Sequence, residues 1–216
     1  NGGPINAPTG LSRLAGAGTQ TAALAFGGTG DPNGTYSYNG SSWTQLGNMV
    51  TGEVRLAGCG TQTAALSMGG DRLSSPTAQE WNGSSWTAGG NMIVAAEEIA
   101  GCGKNPQLTS TEEYDGSSWT NGGNLNTGRY ALAGAGLQTA ALAFGGRTPT
   151  MAVTEQYDGS SWTNTSSMSV ARSYLAGAGT TTAGLGFGGY DSSNNETAVT
   201  EEFTAAGPVT VTLSGS

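Results

Sequence analysis

The stretch LAGAGTQTAALAFGG, residues 14–28, returns three more times along the chain with few changes. The other copies occupy residues 56–70, 132–146 and 175–189. A catalytic loop is needed once, whereas a segment that returns at intervals is typical of a repeated structural unit. The sequence therefore predicts a repeat architecture in which this segment is part of the building unit.

Glycine and tryptophan markers give the length of the repeat. The first glycine after each Leu-Ala or Ile-Ala pair is separated from the next by 42, 43, 33 and 43 residues. These glycines are Gly16, Gly58, Gly101, Gly134 and Gly177. A motif of the form YNGSSW, WNGSSW or YDGSSW closes the first four repeats, and EEFTAAGPVTVTL, residues 201–213, closes the fifth. We therefore expect five repeats, of which the third is shorter than the others.

Each full repeat predicts four short strands. In the first repeat, residues 14–18 and 21–28 predict the first two strands, which are separated by a polar turn. Residues 78–81 and 153–157 predict the third strand in two other repeats. An Asn-Gly or Asp-Gly turn between strand-forming residues then predicts a hairpin into a fourth strand that begins at tryptophan. Four short strands in a repeat of about 40–50 residues are typical of one blade of a β-propeller.

The fold class expected is therefore all-β: a single domain, residues 1–216, folded as a five-bladed β-propeller of four-stranded antiparallel blades. The blades are expected at about residues 11–46, 53–89, 96–122, 129–165 and 172–214. The shortened third blade is expected to keep a short second strand near residues 107–109. Residues 1–3 are expected to lead into the first strand and residues 209–213 to form the last one, so that every blade is built from consecutive sequence.

Large aromatic residues recur at two positions of the predicted blade. The third strand ends in Tyr38, Trp81, Tyr114, Tyr157 or Phe203, and the fourth strand begins at Trp43, Trp86, Trp119 or Trp162. Inner strands rich in glycine and alanine suit the crowded axis of a propeller, whereas the outer strands leave room for large side chains between blades. We therefore expect both aromatic positions to have a structural role.

Three motifs in a constant order resemble the kelch repeat. In the fourth repeat they are FGG, residues 144–146, EQYDGSSW, residues 155–162, and MSVAR, residues 168–172. The resemblance covers essentially the whole chain, although the first repeat has TYSY, residues 35–38, in place of the EQY segment and the third repeat has no FGG. It implies a kelch-like propeller of the type found in the central domain of galactose oxidase. The chain is also similar to the repeat propellers of marine phage virion and tail proteins and of secreted bacterial proteins.

The composition argues against several functions. The chain has no histidine, which removes the commonest general base and metal ligand, and with it the copper site that galactose oxidase relatives build from two histidines. Its net charge is −8 and its 7 basic residues are scattered, so we expect no nucleic-acid partner. No apolar run approaches the roughly 18 residues of a membrane span, so we expect no membrane insertion. We expect no catalytic residue, no metal ligand and no cofactor.

Repeated carboxylates and two cysteines are also expected to be structural. Glu112, Glu155 and Glu201 share one repeat position and should lie on successive blades, whereas an acid–base pair must converge on one substrate. Cys59 and Cys102 replace alanine in the first strand and are expected to be small buried thiols, with a disulfide as the alternative. The loops DPNG and DSSNNE resemble calcium-binding loops only weakly and are expected to be ordinary turns.

Variation between the repeats is concentrated in the loops between the second and third strands and in the connections between blades. Because binding residues lie disproportionately on loops held by a rigid scaffold, this side is the predicted recognition face, although unconstrained drift of the loops would give the same variation. The candidate binding residues are Asp31, Asn33, Asp71, Arg72, Arg147, Tyr190 and Asp191.

The function expected is that of a non-enzymatic binding or structural module. The resemblance implies a virion protein of a phage tail or surface, or an extracellular protein, whose partners are other virion or surface proteins or cell-surface glycans. The alternative is a carbohydrate-binding lectin with sites between blades lined by tryptophan or tyrosine. Trp81 and Tyr190 are the aromatic residues that this alternative predicts to be exposed.

Overall fold

The computed structural model of the chain describes residues 3–7, 10–70, 76–94 and 109–204, together with the backbone of residues 207–211. These residues form strands, turns and loops and include no helix. The chain divides into two compact units, one made of Asn1–Ile99 and Tyr114–Trp119 and the other of Ala100–Glu113 and Thr120–Ser216. The fold is of the β-propeller type, with four four-stranded antiparallel blades in the described part of the chain.

Two blades belong to the first unit, and each is a meander of consecutive strands. The first blade consists of β1 (Ala15–Thr19), β2 (Ala22–Phe26), β3 (Thr35–Tyr38) and β4 (Trp43–Gln45). The second blade consists of β5 (Ala57–Gly60), β6 (Ala65–Met68), β7 (Ala78–Trp81) and β8 (Trp86–Ala88). In both blades the first strand is built of small residues, and the large aromatic side chains stand where the third strand turns into the fourth.

The third repeat forms a two-stranded hairpin of β9 (Glu112–Tyr114) and β10 (Trp119–Asn121). The third blade, in the second unit, consists of β11 (Ala133–Leu137), β12 (Ala140–Phe144), β13 (Thr154–Tyr157) and β14 (Trp162–Thr165). The fourth blade consists of β15 (Ala176–Thr180), β16 (Ala183–Phe187), β17 (Thr200–Thr204) and β18 (Gly207–Val211). Strand pairing in both blades is antiparallel, so each turn reverses the chain beside the strand before it.

The prediction of five four-stranded blades is wrong, since the described residues form four four-stranded blades and one two-stranded hairpin. Within its described residues, the third repeat contributes only the hairpin β9–β10. Where other repeats have TAALAFGG, this repeat has KNPQLTST, which lacks the run of apolar and small residues that forms an inner strand. Residues 95–108, which hold most of the predicted inner part, lie outside the described residues, and Thr109 is not in a strand.

Consecutive strand order is confirmed in all four blades. The last strand, β18, begins at Gly207, two residues before the predicted segment 209–213. The predicted lead-in to the first blade is found at Gly3, whose N–H donates to the carbonyl oxygen of Ser41 at 3.5 Å, while residues 1 and 2 lie outside the described part. The organisation as a single domain stays a prediction.

The Asx-Gly-Ser-Ser turns between the third and fourth strands are held by the Asx side chain. In the third blade the backbone N–H groups of Ser160 and Ser161 donate to Oδ1 of Asp158 at 2.9 and 2.8 Å. The N–H groups of Ser161 and Ser160 stabilise the carboxylate and lower the pKa of Asp158 to about 2. Gly159 has a φ of 94°, a left-handed conformation that glycine adopts without steric cost. Equivalent hydrogen bonds form at Asn39, Asn82 and Asp115.

Large aromatic side chains pack beside the sheets. In the first unit, Trp86 is 5% exposed, its ring lies 4.9 Å from that of Phe26, and its Nε1 donates to Oγ1 of Thr35 at 2.8 Å. In the second unit, the rings of Tyr157 and Trp162 stack at 4.9 Å within a buried cluster. The partly buried members of the two aromatic positions are Tyr38, Trp43, Tyr114, Trp119 and Phe203. The aromatic residues at the end of the third strand and the start of the fourth strand therefore form part of the hydrophobic core of each unit.

Candidate functional site

Two candidate residues of the first blade, Asp31 and Asn33, hold their own loop in place. Asp31 Oδ2 accepts a hydrogen bond of 2.6 Å from the hydroxyl of Tyr36, and burial together with this bond raises the pKa of Tyr36 to about 12. Asn33 Nδ2 donates to the carbonyl oxygen of Met49 at 3.2 Å, and the N–H of Met49 donates back to Asn33 at 2.8 Å. The polar side chains of both residues therefore bind the surrounding structure.

Two of the four other charged candidates, Arg147 and Asp191, lie within the described residues. Arg147 is partly exposed and pairs through its backbone with Tyr130, to which its N–H donates at 2.8 Å. Asp191 accepts from the N–H groups of Asn195 and Ser193 at 2.9 and 2.8 Å, which lowers the pKa of its carboxyl group. Asp191 thus forms an ordinary turn. The remaining two candidates, Asp71 and Arg72, lie outside the described residues.

Tyr190 differs from these residues because its ring is exposed. It is 38% exposed and meets the ring of Tyr174, which is 41% exposed, at a centroid distance of 6.2 Å and an interplanar angle of 90°. The hydroxyl of Tyr190 donates to Oε1 of Glu196 at 3.4 Å. We call Tyr174 and Tyr190 the tyrosine pair. The pair lies on the loop side of the fourth blade, the side formed by the loops between second and third strands and by the connections between blades. Tyr190 follows β16, and Tyr174 precedes β15.

Sequence reasoning missed Tyr174, although the repeats contain a signal for it. Tyr174 stands three residues before the marker glycine, where the other described repeats have Arg13, Arg55 and Ala131. All four residues have positive φ, between 53° and 58°, so the backbone is the same in each blade and only the side chain differs. An aromatic residue at a position that the repeat leaves variable is the feature to look for.

Trp81, the other aromatic residue that the lectin alternative predicts to be exposed, is buried. It is 3% exposed, packs its ring 5.5 Å from that of Trp86, and donates from Nε1 to the carbonyl oxygen of Gln62 at 3.0 Å. The expectation of exposure is therefore wrong. The reason is the repeat position itself, since Trp81 occupies the end of the third strand, where Tyr157 is also buried.

The repeated carboxylates bind the arginine of their own blade and the connection that leads into that blade. Glu155 is fully buried, pairs with Arg129 and accepts from the N–H of Asn126 at 2.7 Å. Glu201 is 3% exposed and pairs with Arg172 at 3.0 Å. Both arginines precede the first strand of the same blade, so each pair ties the entry of a blade to its third strand. The third carboxylate at this position, Glu112, is partly buried.

Bonds between successive sheets are made one residue further along the third strand. The hydroxyl of Tyr157 in β13 donates to Glu113 of β9, and the hydroxyl of Tyr114 in β9 donates to Glu80 of β7. Burial and the hydrogen bond to a carboxylate raise the pKa of both tyrosine hydroxyls. These carboxylates therefore belong to the contacts between successive sheets.

An apolar cleft in the second unit lies between the third and fourth blades. Its lining residues are Phe144, Thr154, Met168, Gly184, Gly186, Glu201, Glu202 and Phe203. The cleft is lined by neither tryptophan nor tyrosine, and its carboxylate Glu201 is already bound by Arg172. The aromatic lining that the lectin alternative predicts between blades is therefore not found in this cleft.

Other reactive groups add little to the site. Cys59 is a free, exposed thiol, so the expectation that it is buried is wrong; the corresponding Ala178 of the fourth blade is exposed as well. Cys102 lies outside the described residues. Across the described ranges, no three His, Cys, Asp or Glu residues form a group that could hold a metal ion. In the same ranges, no helix is long and apolar enough to span a membrane.

No protein-family model matches this chain, and no curated protein matches it. Functional inference therefore rests on the residues that the blades bring together, and among the described candidates the tyrosine pair is the one whose side chains are both large and exposed.

Proposed function

We propose that this protein is a non-enzymatic binding module, a β-propeller scaffold that presents the tyrosine pair for recognition of a partner. The observation that carries the proposal is the contact between Tyr174 and Tyr190, two rings that remain 41% and 38% exposed. Exposed tyrosines supply a large, rigid and amphipathic contact area at a low cost in side-chain entropy. Such residues are enriched at protein recognition surfaces.

The surroundings of the tyrosine pair suit a polar partner with an apolar patch. Asn194, Asn195 and Glu196 are exposed beside Tyr190, and the carboxylate of Glu196 already accepts from the tyrosine hydroxyl. A rim of amide and carboxylate groups around an aromatic centre is the usual arrangement of a recognition site. The partner proposed is another virion or surface protein, and the setting proposed is a phage tail, a virion surface or the extracellular space. The kelch-like repeat pattern and the low content of charged residues support this setting.

A second candidate function is carbohydrate binding at the same tyrosine pair. The observation that favours it is the position of Glu196 next to the ring of Tyr190, because a sugar presents an apolar C–H face beside hydroxyl groups that need acceptors. This candidate moves the lectin site from the space between blades to the loop side. It predicts that binding depends on the ring and on the carboxylate together.

A glycan array and a displayed peptide library, screened with the purified chain, test both candidates. We expect binding that is lost in Tyr190→Ala and in Tyr174→Ala and retained in Leu137→Ala, a control side chain that is 71% exposed at the end of β11. Ligands from the glycan array would establish the second candidate, and ligands from the peptide library the first. Binding that survives both tyrosine variants, or no ligand from either source, would overturn the proposed site.

A further inference from the structure

Four Asn-Gly pairs lie within the described residues, and the structure holds them in two different ways. The pairs are Asn33-Gly34, Asn39-Gly40, Asn82-Gly83 and Asn121-Gly122. The backbone nitrogen of a glycine can attack the side-chain amide carbon of the asparagine before it, because no Cβ atom of the glycine hinders the approach. The reaction then depends on whether that nitrogen is engaged elsewhere and on what surrounds the amide oxygen.

In two of the pairs the glycine N–H already takes part in a backbone hydrogen bond. The N–H of Gly34 donates to the carbonyl oxygen of Asp31 at 3.0 Å. The N–H of Gly122 donates to the carbonyl oxygen of Thr111 at 2.8 Å. Attack by either nitrogen requires that its hydrogen bond is broken first, which costs free energy.

The glycine N–H is not engaged in the other two pairs. Across the part of the chain that the structure describes, the N–H groups of Gly40 and Gly83 form no hydrogen bond, and both glycines are exposed. Asn39 and Asn82, the residues before them, are exposed as well. Each pair begins an Asx-Gly-Ser-Ser turn between the third and fourth strands of its blade. The attacking nitrogen is therefore available in these turns without any backbone rearrangement to release it.

The same turns surround the amide oxygen of the asparagine with donors. Oδ1 of Asn82 accepts from the N–H of Ser84 at 3.0 Å, from the N–H of Ser85 at 2.9 Å and from the hydroxyl of Ser84 at 2.9 Å. Asn39 is held in the same way by the two serines that follow its glycine. Attack on the amide carbon places negative charge on this oxygen, and donors already directed at it stabilise that charge.

The two turns with aspartate show that these donors stabilise a negative charge. Backbone N–H groups of the serines that follow lower the pKa of Asp115 and of Asp158 from 3.8 to about 2. The two aspartates also make the same backbone hydrogen bonds as the asparagines, at 2.8–2.9 Å. The turn therefore accepts aspartate in place of asparagine without a change of structure.

We propose that Asn39 and Asn82 are sites of spontaneous deamidation assisted by their turns, whereas Asn33 and Asn121 are protected. The glycine nitrogen forms a bond to Cγ of the asparagine, the bond from Cγ to Nδ2 breaks, and the proton of the glycine nitrogen leaves with the ammonia. Water then opens the resulting succinimide ring to aspartate or, at the other carbonyl, to isoaspartate. Each converted site adds one negative charge to a chain whose net charge is −8.

Peptide mass spectrometry of the purified chain, sampled over time in mildly alkaline buffer, measures each pair separately, because conversion replaces an NH2 group with OH. We expect Asn39 and Asn82 to convert at least about tenfold faster than Asn33 and Asn121 in the folded chain. In the chain unfolded with guanidinium chloride, all four pairs are expected to convert at similar rates, since the hydrogen bonds that distinguish them are lost.

Two variants test the role of the turn. Ser84→Ala removes one donor and is expected to slow conversion of Asn82 by about threefold or more while Asn39 is unaffected; the exposed turn makes this less than the ~100-fold effect of a buried oxyanion donor. The double variant Asn39→Asp with Asn82→Asp is expected to keep the circular dichroism spectrum and the urea midpoint of the wild type. Equal rates at all four pairs of the folded chain, a difference that persists after unfolding, or an unchanged rate in Ser84→Ala would overturn the proposal.

Discussion

The buried ion pair of the fourth blade joins the segment before the first strand to the third strand, and its contribution to stability can be measured. Nη2 of Arg172 donates to Oε1 of Glu201 at 3.0 Å, and the two side chains are 0% and 2% exposed. Glu201 also accepts from the N–H of Ser169 at 2.6 Å, and Nη1 of Arg172 donates to the carbonyl oxygen of Val199 at 2.7 Å. Glu201→Gln keeps the shape of the side chain and removes its charge.

The expected cost of this substitution follows from the burial of the arginine. Removing one partner of a buried ion pair costs about 3–5 kcal/mol, because the other charge stays buried without compensation. We expect Glu201→Gln to lower the free energy of unfolding by about 3 kcal/mol, the lower end, since glutamine retains an oxygen that accepts hydrogen bonds. The second blade has Gln79 at the corresponding position and Glu53 in place of the arginine, so glutamine fits this site when no arginine accompanies it.

Urea unfolding followed by circular dichroism, with hydrogen exchange of the β16 and β17 amides to report on the blade itself, measures this loss. Glu202→Gln, on the same strand but exposed, is the matched control and is expected to change stability by less than about 0.5 kcal/mol. The double variant Arg172→Met with Glu201→Gln is expected to lose less than the sum of the two single variants. A loss below about 1 kcal/mol for Glu201→Gln, or strict additivity, would refute the reasoning.

Two further predictions concern the hairpin between the third and fourth strands. Asp158→Asn is expected to leave stability at neutral pH nearly unchanged, because Asn82 makes the same hydrogen bonds in another blade. The pKa of Asp158 is lowered from 3.8 to about 2, so its contribution is present above pH 3.8 and is lost as the pH falls towards 2. NMR titration of the aspartate and acid unfolding of both forms measure this, and an unshifted pKa would contradict it. Tyr157→Phe is expected to cost about 1–3 kcal/mol in urea unfolding, because Glu113 loses a donor; an unchanged midpoint would show that the hydroxyl contributes nothing.

The strand pattern could be predicted from sequence because local chemistry decides it. The third strand of the second blade was expected at residues 78–81 and is found at Ala78–Trp81. The Asx-Gly turn that follows it needs only a side-chain oxygen, two N–H groups and a glycine with positive φ, all within four residues. Features of this kind repeat faithfully from blade to blade, since each is complete in a short segment.

Features that depend on distant partners could not be predicted in the same way. Whether residues 104–111 contribute an inner strand depends on what that segment can pair with. The repeat spacing favoured a fifth, shortened four-stranded blade, whereas the described residues of this repeat form only a two-stranded hairpin. The hydrogen bond between Tyr157 and Glu113 leaves only an indirect signal in the sequence, a paired change at both positions. The fourth blade has Phe203 at the position of Tyr157, and the blade before it has Gln156 at the position of Glu113.

Recognition is most naturally placed at positions that blade packing does not use. The carboxylates, arginines and tryptophans that recur from repeat to repeat are largely buried, and their polar groups bind the scaffold. The position of Tyr174 imposes a left-handed backbone in every described repeat, and it accepts arginine, alanine or tyrosine. The backbone therefore does not require an aromatic residue there. A tyrosine that adopts this conformation beside Tyr190 contributes an exposed ring pair that no other described repeat has at these two positions, which is why we place the recognition surface on this blade.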